Sequence, residues 1–339
     1  MTQQLTTPKK SGSHGAAPPS SVRPGFGDWA RRNRSFLAPV GALIVMIIGF
    51  TIMSPQFLTV GNGVNILLDS SVLMILALAS TIIILMGSID LSIGSTLAIC
   101  AFTGALLAQE TGDNNVLLLV PIVGLVCGLL NGLGVAFLGL PSFLVTLGSF
   151  FVYNGLANYF SGGQPVTLMP GGPVDWFSGT IGGVPVIALW AVVILVIVHL
   201  VFRYTRGGRY VYAIGGNEKT ARLAGAPVRR VKVWAFAAAG TLAGIAALLQ
   251  LAKLQSASPD MGAPYMLPAI AAVVMGGTPL TGGIGGALRT VIGVLVIAIL
   301  SNGMVLAAID PHLQDVVQGV VVVGAVAVTM QRRRAAVVK

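Results

Sequence analysis

The feature that most constrains this sequence is a series of apolar runs long enough to cross a lipid bilayer. A helix of about 20 residues, rising 1.5 Å per residue, spans roughly 30 Å of hydrocarbon. Of the 339 residues, 55% are hydrophobic and only 9% are charged, whereas a soluble domain usually carries about 25% charged residues. The sequence therefore predicts an all-α fold, a polytopic bundle of transmembrane helices.

Gly, Pro, Asn and charged residues divide the apolar runs into ten candidate segments. Two of these are weak, because 91–109 is rich in small polar residues and 266–278 is short enough to be a half-helix. Small residues are common where membrane helices pack closely, so both are kept. The segments, which together form a predicted transmembrane domain at 36–330, are 36–53, 64–86, 91–109, 116–138, 141–160, 185–202, 232–252, 266–278, 287–303 and 314–330.

The basic residues lie on one side of this predicted bundle. With ten segments, all but one of the 20 Lys and Arg residues fall in 1–35, 203–232, 279–290 or 331–339, and the exception is Lys253. Basic loops remain in the cytoplasm, so both termini are predicted to be cytoplasmic. The net charge of +10 is explained by this topology, and we expect no nucleic-acid partner.

The two ends of the chain differ in composition from the apolar domain. Residues 1–35 are rich in Ser, Pro, Gly, Lys and Arg, which is typical of a disordered tail. Residues 331–339 are predicted to form a short cytoplasmic C-terminal tail. Cys100 and Cys127 lie inside apolar runs, and the three His residues are scattered, so we predict no metal site.

No residue pattern indicates that the chain binds ATP or relays charge through the membrane. Gly215–Thr220 is the stretch most similar to a phosphate-binding loop, but Glu218 stands where glycine is required, and its carboxylate would repel phosphate. Asp69 and Asp90 are too few for a charge relay through the membrane. Asp90 is expected to cap a helix that begins near Leu91. We therefore predict no cofactor in this chain and an energy source in a partner.

The segment 203–232 is the longest predicted internal cytoplasmic loop. Asn217 can cap a short helix over 218–224, which Gly225 would end. Such a helix could dock into a groove on a partner protein. A solvated basic loop attracted to anionic headgroups is the alternative, and the residues alone leave both open.

Four motifs in this order make the chain similar to a known family. They are Gly87-Ser-Ile-Asp-Leu-Ser-Ile-Gly94, Arg209-Tyr-Val-Tyr-Ala-Ile-Gly-Gly-Asn-Glu218, Ala221-Arg-Leu-Ala-Gly225 and Ala271-Ala-Val-Val-Met-Gly-Gly-Thr278. From about Ser54 to Arg332, the chain resembles the permease subunit of bacterial ATP-binding-cassette (ABC) importers for ribose and related simple sugars.

The resemblance implies a set of partners and a coupling site. It implies a bacterial inner-membrane protein, a second permease copy, ATPase subunits that hold ATP and Mg, and an extracytoplasmic sugar-binding protein. Glu218 and Gly225 are seven residues apart, one more than in the general importer pattern. The residues expected to couple to the ATPase are Gly215, Gly216, Asn217, Glu218, Arg222, Leu223 and Gly225.

Two further sets of residues are candidates for function. Segments 85–94 and 274–283 resemble each other. They are either an internal repeat or two helix-ending turns that arose independently. Their turns are candidate hinges at Gly87, Asp90, Ser92, Gly94, Gly276, Gly277, Gly282 and Gly283. A sugar path needs uncharged polar groups, and helix–helix hydrogen bonding is the alternative role for the candidates, which are Asn131, Tyr153, Asn154, Asn158, Gln250 and Asn302.

Other functions remain open at this stage. The chain could be a stand-alone secondary carrier or facilitator, a non-transporting scaffold, or an ABC permease for nucleosides or branched-chain amino acids. We also expect Gly128-xxx-Gly132 and Gly240-xxx-Gly244 to pack helices within one chain. The sequence does not identify the sugar.

Overall fold

The computed structural model describes residues 34–337. The predicted tail 1–35 lies almost entirely outside this range, as do the last two residues. In the described part the helices are α1 (Arg34–Met53), α2 (Val60–Leu85), α3 (Ile93–Thr111), α4 (Val120–Phe137), α5 (Ser142–Ser161), α6 (Pro173–Ser178), α7 (Val186–Tyr204), α8 (Arg206–Gly216), α9 (Glu218–Leu223), α10 (Val228–Leu254), α11 (Ala263–Met275), α12 (Ala287–Leu306) and α13 (Pro311–Val337).

Helices long and apolar enough to cross a membrane make up much of this fold. Among the described residues there are six: α2, α3, α7, α10, α12 and the stretch Asn114–Phe137, in which a 3-10 helix leads into α4. The stretch Pro39–Met53 of α1 and helix α11 are apolar but shorter. A polytopic helical membrane protein is thus confirmed, and a helix lies over each of the ten predicted segments.

Four two-residue strands join the helices at one end of the bundle. Strand β1 (Val166–Thr167) pairs antiparallel with β4 (Ser256–Ala257), so that the chain after α5 is tied to the end of α10. Strands β2 (Thr180–Ile181) and β3 (Val184–Pro185) form a hairpin just before α7. These pairs satisfy backbone groups of the segments that connect the helices.

Helix α10 is the centre of the packing, with α2, α3 and α4 around it. Its contact with α4 is made through glycine: a Cβ on Gly128 would overlap the carbonyl of Phe236, and one on Gly240 would overlap the carbonyl of Gly124. The backbones of the two helices therefore touch. This confirms the predicted packing of the two Gly-xxx-Gly pairs within one chain.

An ion pair links α10 to α2 at the end of the bundle away from α8 and α9. The Nζ atom of Lys253 donates to Oδ1 of Asp69 at 2.6 Å. Lys253 is the one basic residue that the predicted topology separates from the others. A carboxylate at membrane depth is costly unless it is paired, and the structure supplies its partner.

Three features of the helices differ from the sequence predictions. Helix α11 ends at Met275, so residues 276–278 of the predicted segment form a turn. The predicted loop 203–232 contains two helices, α8 and α9, instead of one. Helix α13 continues to Val337, so most of the predicted tail 331–339 is helical.

Replacing Gly128 with Ala is expected to separate α4 from α10. The new methyl group would meet backbone atoms, which cannot turn aside as a side chain can, so the free energy of unfolding should fall by about 1–3 kcal/mol. Thermal unfolding in detergent measures this. Gly148→Ala is the matched control, because open space surrounds Gly148 in α5; it should be neutral or stabilising, by up to about 1 kcal/mol. Equal effects of both substitutions would contradict the close packing.

Candidate functional site

Two short helices occupy the segment where sequence analysis places the coupling residues. Helix α9 begins after Asn217, whose Oδ1 accepts the backbone N–H of Thr220 at 3.0 Å. It ends before Gly225, which has a φ of +85°, a conformation that glycine adopts without strain. The predicted cap, helix and stop are therefore confirmed.

Helix α8 was missed by the sequence analysis. It begins after Thr205, whose Oγ1 accepts the backbone N–H of Gly208 at 3.0 Å. Val211 and Ile214 are buried, and their spacing of three residues was the available signal of an amphipathic helix. Because Asn217 ends α8 and also begins α9, the two helices are joined without a flexible linker.

Helix α9 presents one apolar side chain to its surroundings. Ala221 is buried against the bundle, while the side chain of Leu223 is 90% exposed. Arg222, next to it, is also exposed. A fully exposed leucine at the tip of a short helix is a feature that a partner protein can cover.

Glu218 is held by two basic residues of its own chain. Its Oε1 accepts from Arg222 and its Oε2 from Lys232, both at 2.8 Å. Partial burial acts to raise the pKa of Glu218, but the Lys232 and Arg222 charges outweigh it, so the pKa lies below its usual value. Both carboxylate oxygens are thus occupied within the chain, and Glu218 fixes α9 to the start of α10.

The end of α8 is packed directly onto two turns of the membrane helices. A Cβ on Gly215 would overlap the carbonyl oxygen of Leu85, and would also meet the backbone nitrogen of Gly283. Gly283 N donates to Leu85 O at 2.9 Å, and Gly282 lies against the nitrogen of Gly87. We call these contacts among 85–87, 215–216 and 282–283 the glycine junction. It brings together residues predicted for coupling and residues predicted as hinges, which are far apart in sequence.

The turns after α2 and α11, both predicted as hinges, share one geometry. Gly87 N donates to Ile84 O and Ser88 N to Ile83 O; in the other turn, Gly277 N donates to Val274 O and Thr278 N to Val273 O. Gly87 and Gly277 both have positive φ, as this helix-ending motif requires. Gly87 therefore matches Gly277 and not Gly276, so the sequence comparison of the two segments is shifted by one residue.

Asp90 does not occupy the cap position expected for it. Helix α3 begins at Ile93, and its cap position is Ser92. Asp90 Oδ1 instead accepts from the backbone N–H of Ser92 at 2.8 Å and from its Oγ at 2.6 Å. Gly94, at the start of α3, packs on the backbone of Gly262. Asp90 thus stabilises the turn at residues 90–92 that leads into α3.

The six residues proposed for a sugar path take part in five separate hydrogen-bonded pairs. Asn131 Nδ2 donates to Ser92 Oγ at 2.8 Å, and Tyr153 Oη donates to Cys127 O at 3.1 Å. Asn158 donates to Asn154 within α5. The others bond elsewhere: Gln250 accepts from Tyr265 at 3.4 Å, and Asn302 exchanges amide hydrogen bonds with Asn62 at 2.8 and 2.9 Å.

Most of these hydrogen bonds join neighbouring helices. Sequence analysis missed Asn62, although an Asn within an apolar run is a signal of such a partner. Over residues 34–337, no group of three or more His, Cys, Asp or Glu side chains could hold a metal ion.

A bundle of apolar helices with two short helices packed onto its helix-end turns defines a polytopic membrane protein. The chain belongs to the family described as branched-chain amino acid transport system / permease component, whose model matches residues 62–326. It is a multi-pass protein of the bacterial inner membrane.

Related proteins of known name align with most of the chain. The ribose import permease protein RbsC of Haemophilus influenzae is 36% identical over 89% of this chain and 94% of its own length. RbsC of Bacillus subtilis is 37% identical over 88% of this chain and 94% of its own. The galactose/methyl galactoside import permease protein MglC of Escherichia coli is 29% identical over 86% and 94%. No solved structure matches.

Replacing Gly215 with Ala is expected to open the glycine junction. The methyl group overlaps the Leu85 carbonyl, so the Gly283 N–H should lose its hydrogen bond and exchange hydrogen about tenfold faster or more, as the loss of about 1.4 kcal/mol implies. Hydrogen exchange of a peptide spanning 280–287 measures this. Gly216→Ala is the control, since nothing lies near a Cβ there. Unchanged exchange in the Gly215 variant would contradict the close contact.

Replacing Glu218 with Gln is expected to loosen α9. The loss of two ion pairs at a partly exposed carboxylate should speed hydrogen exchange in 221–225 about twofold to fivefold at pH 7. Because the folded pKa is lowered, the stabilisation is complete above the unfolded pKa of about 4.3 and is lost as the pH falls through the folded value. Glu110→Gln, at an exposed position, is the control. An effect that disappears between pH 5 and 7 would contradict the lowered pKa.

Proposed function

We propose that this chain is the permease subunit of an ABC importer for a simple sugar, a pentose or hexose. The observation that carries the proposal is the similarity along almost the whole chain to permeases named for ribose and for galactose and methyl galactoside. These relatives are named import permeases, so the chain forms the path while ATP hydrolysis, with Mg, takes place in a partner.

We further propose that all ten membrane segments span and that both termini are cytoplasmic. The described helices over all ten segments support the count, and the one-sided placement of Lys and Arg supports the orientation. In this orientation α8 and α9 lie on the cytoplasmic side. The Asp69–Lys253 pair and the short strands then lie toward the external side.

The proposed partners are a second permease copy, ATPase subunits and an extracytoplasmic sugar-binding protein. The ATPase is assigned to α9, because Leu223 is the exposed apolar residue there. Movement of α9 passes to α8 through their shared residue Asn217, and from Gly215 to the ends of α2 and the 282–283 turn. The coupling residues therefore transmit this movement to the hinge turns. They are Gly215, Gly216, Asn217, Glu218, Arg222, Leu223 and Gly225.

Six residues remain proposed for the sugar path. Asn131, Tyr153, Asn154, Asn158, Gln250 and Asn302 all hold hydrogen bonds within the chain. A neutral polyol would have to exchange with these bonds during passage. This suits weak binding, which a path needs in order to release its substrate.

A permease for branched-chain amino acids is a second candidate, because the matching family carries that description. Uptake by the reconstituted complex of permease, ATPase and binding protein decides between them. The panel should hold pentoses, hexoses, cyclitols, a nucleoside and leucine, with and without ATP. ATP-dependent uptake of a pentose or hexose is expected. Uptake of leucine alone, or uptake by the permease without an ATPase, would overturn the proposal.

Replacing Leu223 with Ser should uncouple transport. The change removes exposed apolar surface that the ATPase is proposed to bury, and about 1–3 kcal/mol of binding corresponds to a roughly tenfold or larger loss of sugar-stimulated ATP hydrolysis. Met169→Ser is the control, because Met169 is similarly exposed, at 79%, in the segment proposed to be external. If both variants hydrolyse ATP as the wild type does, α9 is not the coupling helix.

A further inference from the structure

A cleft of about 700 Å³ lies beside α9. Glu218 and Arg222 of the proposed coupling set line it, but the exposed Leu223 and the residues proposed for the sugar path do not. Its floor and walls come from the end of α4, the loop that follows it, the starts of α5 and α10, and the turn after α2. Three basic side chains line it, namely Arg222, Arg229 and Lys232. We call this space the basic cleft.

The charges of the basic cleft favour an anion. Glu218 is the acidic residue among its lining groups, and it pairs with Arg222 and Lys232. Arg229 has no ion-pair partner among the described side chains, and it lies 6.0 Å from the centre of the Phe137 ring. The cleft therefore has an excess of positive charge, part of which is on an arginine free to receive a ligand.

Two helix N-termini add to this positive potential. Helix α5 begins at Ser142 and α10 at Val228, and both residues line the cleft. The Val228 N–H already donates to Ala226 O at 2.8 Å, so at α10 it is the positive end of the helix dipole that attracts negative charge. Both termini reinforce the three basic side chains and do not stand alone.

The cleft continues into apolar surface along two helices. Phe137 and Phe143 line it and are 59% and 51% exposed. One turn further along each helix, Leu133 of α4 and Leu147 of α5 are also exposed. A ligand with a charged group and long apolar chains would match both parts, which inorganic phosphate or an acidic peptide would not.

We propose that the basic cleft binds the headgroup of an anionic glycerophospholipid, with its acyl chains along α4 and α5. The proposal rests on the cytoplasmic orientation given above, which places the cleft at the inner leaflet. The headgroup phosphate contacts Arg229 and the helix N-termini. Because Glu218, Arg222 and 86–89 share the cleft walls, a bound lipid ties the coupling helix to the hinge turn after α2.

Native mass spectrometry of the purified chain in detergent tests lipid binding without sugar, ATP or partners. Phosphatidylglycerol and phosphatidylcholine with identical acyl chains are titrated in parallel. Phosphatidylglycerol is expected to bind at lower concentration. Arg229→Gln should raise its half-saturating concentration about fivefold, as loss of one charge near an anionic surface predicts.

Arg230→Gln is the matched control, because Arg230 is the next residue and equally basic but lines a different cavity. It should leave binding unchanged, and Arg229→Lys should retain most of it. Equal effects of the two Gln variants would overturn the proposal. So would equal binding of both lipids by the wild type, a result that does not depend on whether any variant folds.

An excess of inorganic phosphate separates the lipid from a free anion. Phosphatidylglycerol occupancy should be insensitive to it, and displacement would assign the cleft to free phosphate instead. Failure of sugar uptake in the reconstituted complex would overturn the proposed function but would leave these binding measurements intact. The two proposals therefore fail independently.

Discussion

Backbone contact between helices is the constraint on which the rest of this structure depends. Lipid tails are as apolar as leucine, so burying leucine between membrane helices gains little, and association relies on close packing. The α4–α10 seam achieves this through Gly128 and Gly240, where no side chain separates the two backbones. With α10 fixed in this way, α2 and α3 pack around it and their ends are set in place.

The same type of contact recurs where the proposed coupling helix meets the bundle. Gly215 touches Leu85 and Gly283 backbone to backbone, so there is no soft side chain to absorb a displacement. Glu218 holds α9 on the start of α10 through its ion pair with Lys232. A push on α9 would therefore reach the turn at Gly87 that ends α2, and the turn at 282–283.

The polar residues of the bundle are largely engaged in holding helices together. Asn62 and Asn302 satisfy each other across α2 and α12, and Asn131 joins α4 to the start of α3. Unpaired amides cost several kcal/mol in an apolar environment, so such residues bond to a neighbouring helix whenever one is within reach. Their sequence pattern is the same whether they line a path or join two helices, and for this reason the sequence alone left both roles open.

The sequence by itself determined the membrane class, the position of each of the ten apolar helices and the short helix from Asn217 to Gly225. These follow from length, hydropathy and local capping, which depend on neighbouring residues only. It did not reveal α8, whose alternation of Arg, Tyr and Gly is only weakly apolar. Tertiary structure decided that Gly215 meets Leu85 and Gly283, that Lys253 pairs with Asp69, and that Arg222, Arg229 and Lys232 share one cleft. The first two contacts join residues distant along the chain, and the cleft also needs walls from α4, α5 and the turn after α2, so only the packing of helices creates them.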